Sequence, residues 1–149
     1  MAAAKVITPV LTVGEIMVFI VHRITPEMKL REVAELMIKY QISGAPVVDN
    51  MDKLISILGE GDTLRLAASE GVECKVAHCL EKLPEAKHLI TLQKHDSFTD
   101  AYRIFLKYKI HRIPIVDGNG TLKGLVTRST ILRMMVEAHF GKKINRQGN

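Results

Sequence analysis

Apolar residues in the segment 29–40 fall at Leu30, Val33, Ala34, Met37 and Ile38, the spacing of a helix with one buried face. The spacing returns at Phe98, Ala101, Tyr102, Phe105 and Leu106. Ser97 and Asp100 form a capping-box signature at the start of the second run, whereas Lys29 stands at the matching place in the first. After each helix comes a short β-branched run, Pro46-Val47-Val48 or Ile113-Pro114-Ile115-Val116. Proline cannot donate to a ladder, so each run is expected at the head of a strand or on an edge. Turn signals follow, Asp49-Asn50-Met51-Asp52 and Asp117-Gly118-Asn119-Gly120, the latter supplying positive φ. Second strands over 54–58 and 123–127 complete two hairpins, and second helices begin near Gly61 and Arg128. A further strand is expected ahead of each unit, over 19–25 and 88–92. Each half thus reads β-α-β-β-α.

The two halves are copies. Pro46 returns as Pro114, 68 positions on, and the same offset carries Leu30 to Phe98, Met37 to Phe105, Leu54 to Leu122, Ile57 to Leu125 and Arg65 to Arg133. A lead-in segment repeats as well. Val13-Gly14-Glu15-Ile16-Met17 matches Val76-Ala77-His78-Cys79-Leu80 at a spacing of 63, which leaves five extra residues around 81–87. Each copy is too small to bury a good core alone, so the copies are expected to pack on each other. The division along the chain is 1–70 for the first repeat with its N-terminal segment, 71–140 for the second, and 141–149 for a polar tail.

Composition narrows the class. Hydrophobic residues make up 47% and charged residues 25% of the 149 positions, ordinary for a folded protein. Aromatics are 5% with no Trp, so the core is built from Val, Ile, Leu, Met and Ala. The longest apolar stretch, 16–21, is too short to span a bilayer, and Lys5 with Pro9 and Glu15 makes a poor secretory signal. Cys74 and Cys79 are too close in sequence to staple a large loop and read as free thiols of a cytoplasmic protein. Net charge is +5, with Lys142, Lys143 and Arg146 in the tail, far from the basic stripe of a dedicated nucleic-acid binder.

The duplicated β-α-β-β-α pattern and the Ile-x-x-x-Pro-Val-Val-Asp core (residues 42–49) resemble a tandem cystathionine-β-synthase (CBS) domain pair, over about residues 13–133. The resemblance implies an α/β (α+β) fold of two repeats related by pseudo-twofold symmetry, with helices outside small sheets and two clefts between the repeats. Such clefts typically hold adenine nucleotides, AMP, ADP or ATP, and in some members S-adenosylmethionine; NAD is a further candidate. The purine lies near the first strand and the segment before the Pro-Val-Val-Asp motif. An Asp at the start of the final helix holds the ribose, in a Gly-h-x-[Ser/Thr]-x-x-Asp pattern where h is apolar. The first copy keeps that Asp as Asp62 but has Ser56 for the Gly and Gly59 for the hydroxyl residue. The second keeps Gly124 and Thr127 but has Thr130 for the Asp, with Arg128 and Ser129 at the helix start. His111-Arg112 resembles a His-Arg pair that contacts nucleotide phosphate in a kinase regulatory subunit of the family. One ligand per chain is therefore expected, its ribose on Asp62 and its purine near Leu92, Gln93, Ile110 and Arg112, with His111 and Pro114 as further candidate ligand-binding residues. The other cleft, with Thr127, Arg128, Ser129 and Thr130 facing Thr25, Ile42, Gly44, Ala45 and Pro46, lacks the ribose carboxylate.

Chemistry of other kinds is thinly signalled. There is no His-Glu-x-x-His, P-loop or nucleophile elbow, and Cys74, His78 and Cys79 lack a fourth metal ligand. No carboxylate pair stands out as acid/base machinery. A non-enzymatic regulatory module is the leading expectation, with no required cofactor or metal and an unspecified regulated protein as partner. The alternatives are an interaction module with empty clefts and nucleic-acid binding through the basic surface. A homodimer is expected through outer helices, using Ile131, Leu132, Met135 and Phe140 in the last helix and Leu64, Leu66 and Ala67 in its first-copy equivalent.

Overall fold

The computed structural model of the protein describes residues 8–19 and 21–141. Lys5, the tail residues Lys142, Lys143 and Arg146, and Ile20 within the apolar stretch 16–21 lie outside the described residues. The elements run α1 (Val13–Ile16), α2 (Leu30–Tyr40), β1 (Gly44–Val48), β2 (Leu54–Gly59), α3 (Glu60–Glu70), α4 (Phe98–Lys107), β3 (Arg112–Val116), β4 (Leu122–Thr127) and α5 (Arg128–Phe140), with 3₁₀ turns at Val76–Lys82 and Ala86–His88. β1 and β2 form one two-stranded sheet and β3 and β4 another, an α+β arrangement. At the start of α4 the capping box forms with both arms, Asp100 N–H to Ser97 Oγ at 3.0 Å and Ser97 N–H to Asp100 Oδ2 at 3.4 Å. Lys29 offers α2 only the return arm, its N–H donating to Glu32 Oε1 at 3.1 Å.

Where strands were expected over 19–25 and 88–92, the structure has single bridges, Ile24 to Val47 and Leu92 to Ile115, and His88 lies in a 3₁₀ turn. Proline explains the truncation. The Ile24 N–H donates to the Pro46 carbonyl and the Val48 N–H to the Ile24 carbonyl, both at 2.9 Å. The next parallel rungs would need an N–H from residue 46 on one side and from residue 26 on the other, and both are proline. Leu92 N–H likewise donates to Pro114 O at 3.1 Å, and Pro114 has no N–H to extend that ladder. Pro46 and Pro114 are consequently the third residues of their strands rather than heads. β1 is buried along its length, whereas β2 alternates with Leu54, Ser56 and Leu58 inward.

The two hairpin turns share one mechanism. Asp49 Oδ1 accepts from the N–H groups of Met51 and Lys53, and Asp117 Oδ1 from those of Asn119 and Thr121, all at 2.8–3.0 Å. The left-handed residue is Gly120 at φ 81°, and its counterpart Asp52 adopts φ 62°; Gly118, expected to share that role, does not adopt positive φ. Arg23 grips the Asp52 carboxylate with two nitrogens, at 2.5 and 2.9 Å.

The chain divides into two compact units that cut across the sequence repeats. One contains residues 21–90 with 116–122, the other residues 8–19, 91–115 and 123–141. In the first unit Ile24, Leu30, Val33, Met37, Ala45, Val47, Leu58 and Leu66 form a core with Val76, Cys79 and Leu83. In the second, Phe98, Ala101, Ile113, Ile115, Val126 and Ile131 form a core with Val13, Ile16 and Met17. Each lead-in segment therefore packs on the core of the other copy: 13–17 joins the second, 76–83 the first. The tip of the second hairpin belongs to the first unit, where Leu54 N–H donates to Gly120 O at 3.0 Å and Leu122 N–H to Asp52 O at 2.9 Å.

Candidate ligand sites at the starts of α3 and α5

The same backbone joint is built in each unit. Glu60 at the first position of α3 donates its N–H to Ser43 O at 2.9 Å, and Arg128 at the first position of α5 donates to His111 O at 3.4 Å. A strand-to-helix turn is thus set against the loop that leads into the preceding strand. The joint is common to both; the side chains it presents are opposite in charge.

In the first unit it brings Ile42, Gly44, Ala45, Pro46, Gly59 and Asp62 together, with Gly44 paired to Gly59 and the Pro46 carbonyl joined to Ile24, next to Thr25. Thr25 itself is exposed, Ile42 half-buried, and Gly44, Ala45 and Pro46 buried. Asp62 Oδ2 accepts from the Gly59 N–H at 3.0 Å, satisfying a free donor of the helix end, while Oδ1 takes Arg65 Nη2 at 2.6 Å. Thr63 Oγ1 donates to Gly59 O at 2.8 Å. The Asp62 side chain is 37% exposed and Arg65 is 72% exposed, so the outer half of the carboxylate is held by a movable partner. Beside it lies a depression of about 340 Å³ lined by Asp62, Arg65, Leu66, Ser69, Lys82 and Leu83. The Arg65 contact was missed from sequence, although an acid three residues before a base on a helix is a readable pair.

In the second unit the loop before β3 meets the start of α5. Arg128 Nη2 lies 2.8 Å from His111 Nδ1. For Arg128 to donate there, Nδ1 must be the accepting nitrogen, which leaves the neutral ring's proton on Nε2. Thr127 is the N-cap; its Oγ1 accepts from Thr130 N–H at 3.4 Å and lies 3.0 Å from Ser129 Oγ. Arg128, Ser129 and His111 are exposed, Arg112 and Ile110 half-buried, and Pro114 and Thr130 buried. Leu92 reaches the group through the Pro114 carbonyl, while Gln93 is exposed and gives its N–H to Asp96 Oδ2 at 2.7 Å. Arginine, imidazole, hydroxyls and a helix N-terminus make this an anion-receptive surface. At the same joint the first unit has Ser43 and Glu60, which repel an anion or leave it unheld.

Two positions in the ribose motif turn out to position the lead-in segments. A Cβ on Gly124 would sit 2.6 Å from Met17 Sδ and 2.8 Å from Val18 O, because Val18 bridges to Leu125. Ser56, its counterpart, donates Oγ to the Pro84 carbonyl at 2.7 Å. Small residues stand there because backbone passes close by, one tolerated as Gly and the other turned into a hydrogen bond. Among the described residues no cluster of three His, Cys, Asp or Glu side chains could hold a metal, and no helix is long and apolar enough to cross a membrane.

Two repeats of helix, hairpin and helix, each opening its last helix onto the loop before the hairpin, define a tandem-repeat module by architecture. A model of the CBS domain matches residues 13–69 and 85–137, and the chain belongs to the CBS domain family. It is 39% identical over 110 residues to an inosine-5'-monophosphate dehydrogenase of Aquifex aeolicus, 74% of this chain and 21% of that one. The chain spans about a fifth to two fifths of the length of the curated relatives it first matches. Among solved structures it is similar to CBSX2, a CBS-pair protein of Arabidopsis thaliana, in complex with AMP, at a TM-score of 0.74 and 24% identity, covering 87% of this chain and 98% of that one. It is also similar to the CBS domain pair of protein MJ0100 bound to 5'-methylthioadenosine and S-adenosyl-L-methionine, at a TM-score of 0.72 and 24% identity, covering 91% and 100%.

Proposed function

We propose that the chain is a regulatory module that senses an adenosine-containing ligand, with AMP, ADP or ATP ahead of S-adenosylmethionine and NAD, and carries no catalytic centre of its own. The observation that supports it most is the meeting of His111 and Arg128 at 2.8 Å over the N-terminus of α5, with Thr127 and Ser129 beside them. A guanidinium, a ring nitrogen, two hydroxyls and a helix N-terminus suit a phosphate. Family membership and the AMP-, methylthioadenosine- and S-adenosylmethionine-bound neighbours direct the reading to adenosine compounds. A separate part of the proposal, at the start of α3 in the other unit, makes Asp62 a ribose anchor. Its inner oxygen stays on the Gly59 N–H, and ribose hydroxyls replace Arg65 on the outer one. An exposed ion pair is worth about 0–1 kcal/mol, less than the roughly 1.5–3 kcal/mol of a hydrogen bond to a charged group.

Isothermal calorimetry with AMP and adenosine tests both parts. Asp62→Asn should weaken both ligands roughly ten- to hundredfold. Arg65→Ala, by removing the competitor, should tighten both by up to about fivefold. Arg128→Ala should weaken AMP and leave adenosine unchanged. An Asp62→Asn variant with wild-type affinity would remove Asp62 from the site, and equal losses for AMP and adenosine in Arg128→Ala would remove the phosphate assignment.

A second reading is favoured by the surface of α5. Leu132, Val136 and Phe140 recur every fourth residue and are 61%, 38% and 68% exposed. Ile131, expected in that interface, is buried, and Met135 packs on the core. In α3, Leu64 is exposed and Leu66 is buried. The exposed α5 stripe suits self-association of the module as a homodimer.

A further inference from the structure

Cys74 and Cys79 lie in the segment that leads the chain out of α3, and their sulfurs are 3.8 Å apart. Both are free thiols; Cys74 is half-buried, and Cys79 is fully buried in the first unit's core beside Val76, Leu66 and Leu83. A disulfide needs about 2.05 Å between sulfurs. The remaining gap is under about 2 Å, within reach of side-chain rotation. The backbone around Cys74 is pinned. Its carbonyl accepts from Leu30 N–H at 2.9 Å and its N–H donates to Gly71 O at 3.2 Å. Val76 and Ala77 donate to the carbonyls of Met28 and Pro26, both at 2.8 Å. The pair is therefore held facing rather than brought together by chance. No third ligand among the described residues makes it a metal site.

We propose that Cys74 and Cys79 form a reversible intramolecular disulfide, with Cys74 as the thiol that meets the oxidant and Cys79 as the thiol that closes the bond. The oxidant is a small-molecule disulfide such as glutathione disulfide. The Cys74 thiolate attacks one of its sulfurs, making a Cys74–glutathione mixed disulfide and releasing one glutathione thiolate. The Cys79 thiolate then attacks Cys74 Sγ and expels the second. Two protein thiols are oxidised, two electrons reduce the disulfide, and the two thiol protons end on the two glutathiones. Exposure assigns the order, since only Cys74 can be reached. Burial, followed by the neighbouring Cys74 thiol, pushes Cys79 up to about 11, so its thiolate is scarce and it is the poorer first attacker of the two.

Closure would tie the 71–75 turn to the core segment Val76–Lys82. That segment continues into Pro84, whose carbonyl holds Ser56 of β2, so the bond is set on the path from the inter-repeat linker to the sheet of the first unit. Neither cysteine is among the residues of the ligand proposal, and the disulfide does not depend on it.

The test is a redox titration of the full chain over a series of reduced-to-oxidised glutathione ratios, with acid quenching, alkylation and mass spectrometry. The wild type should pass to a monomeric species lighter by two hydrogens, mapped to a Cys74–Cys79 cross-link and reversed by reductant. Cys79→Ser should stop at one bound glutathione on Cys74. Cys74→Ser, a change at a half-exposed position, should take up no glutathione while folded. The proposal is overturned if both wild-type thiols stay open to alkylation at every ratio, if the cross-link forms only between chains, or if Cys74→Ser reacts as fast as the wild type.

Discussion

At the scale of single residues, position 124 shows how little room separates a lead-in segment from a strand. A methyl group there would meet a backbone oxygen, Val18 O, at 2.8 Å as well as the movable Met17 side chain at 2.6 Å. The side chain can turn away; the bridged backbone at Val18 cannot. Gly124→Ala should therefore cost about 1–3 kcal/mol, read as a melting temperature lower by roughly 3–10 °C. A variant as stable as the wild type would show that the segment gives way. At the counterpart, Ser56→Ala removes the buried hydroxyl that donates to the Pro84 carbonyl. Urea denaturation should report a loss of about 1–2 kcal/mol with an unchanged m-value. Sequence comparison marks Ser56 and Gly124 as unlike residues in a ligand motif. Only the contacts with Pro84 and Val18 show that they serve the lead-in segments.

Among the elements, the start of α2 is tied to the linker by one carboxylate. Glu73 accepts from Arg31 Nε at 2.8 Å and from Lys29 Nζ at 2.9 Å, beside the backbone bonds Arg31 N–H to Val72 O and Leu30 N–H to Cys74 O. The hydrogen bond from Arg31, then that from Lys29, holds the Glu73 carboxyl down to about 2. Its folded value is below the ordinary one of about 4.3, so the bond stabilises the fold above that pH and is lost as pH falls toward 2. Wild type and Glu73→Gln should differ in melting temperature at pH 7 and converge near pH 2. A difference that persists at pH 2 would assign the effect to something other than the ionised carboxylate. The helices themselves were legible, because apolar spacing and the Ser97–Asp100 box are local signals. The first strands were not, since whether a β-branched run finds rungs depends on prolines in its partner and on Pro26 just after the run.

For the whole molecule, ligand binding and assembly are the properties to measure. A ligand at 100 times its dissociation constant adds about 2.7 kcal/mol, which shifts the melting temperature by roughly 5–10 °C. A thermal-shift panel of AMP, ADP, ATP, NAD and S-adenosylmethionine should show this for at least one compound, and a flat panel at millimolar ligand would count against the sensing role. If the α5 stripe forms the dimer, Leu132→Glu should turn a dimer into a monomer by light scattering at tens of micromolar without lowering helix content. A wild-type monomer at that concentration would end the assembly proposal.

Duplication, the two hairpins and the four long helices were readable from the chain, because each rests on periodicity or on spacing within about seventy residues, and the repeated motif carried the resemblance to CBS pairs. So was the opposite charge of the two helix starts, Glu60 and Arg128, which follows from residue identity at matched positions. Tertiary structure alone decided which core each lead-in segment joins. Val13, Ile16 and Met17 and their counterparts Val76, Cys79 and Leu80 are similar apolar patches facing two similar cores, so no local preference separates the two pairings. The path of the chain chooses between them. It also brought His111 to Arg128 and Cys74 to Cys79, contacts set by backbone bonds between elements and not by the residues' own propensities.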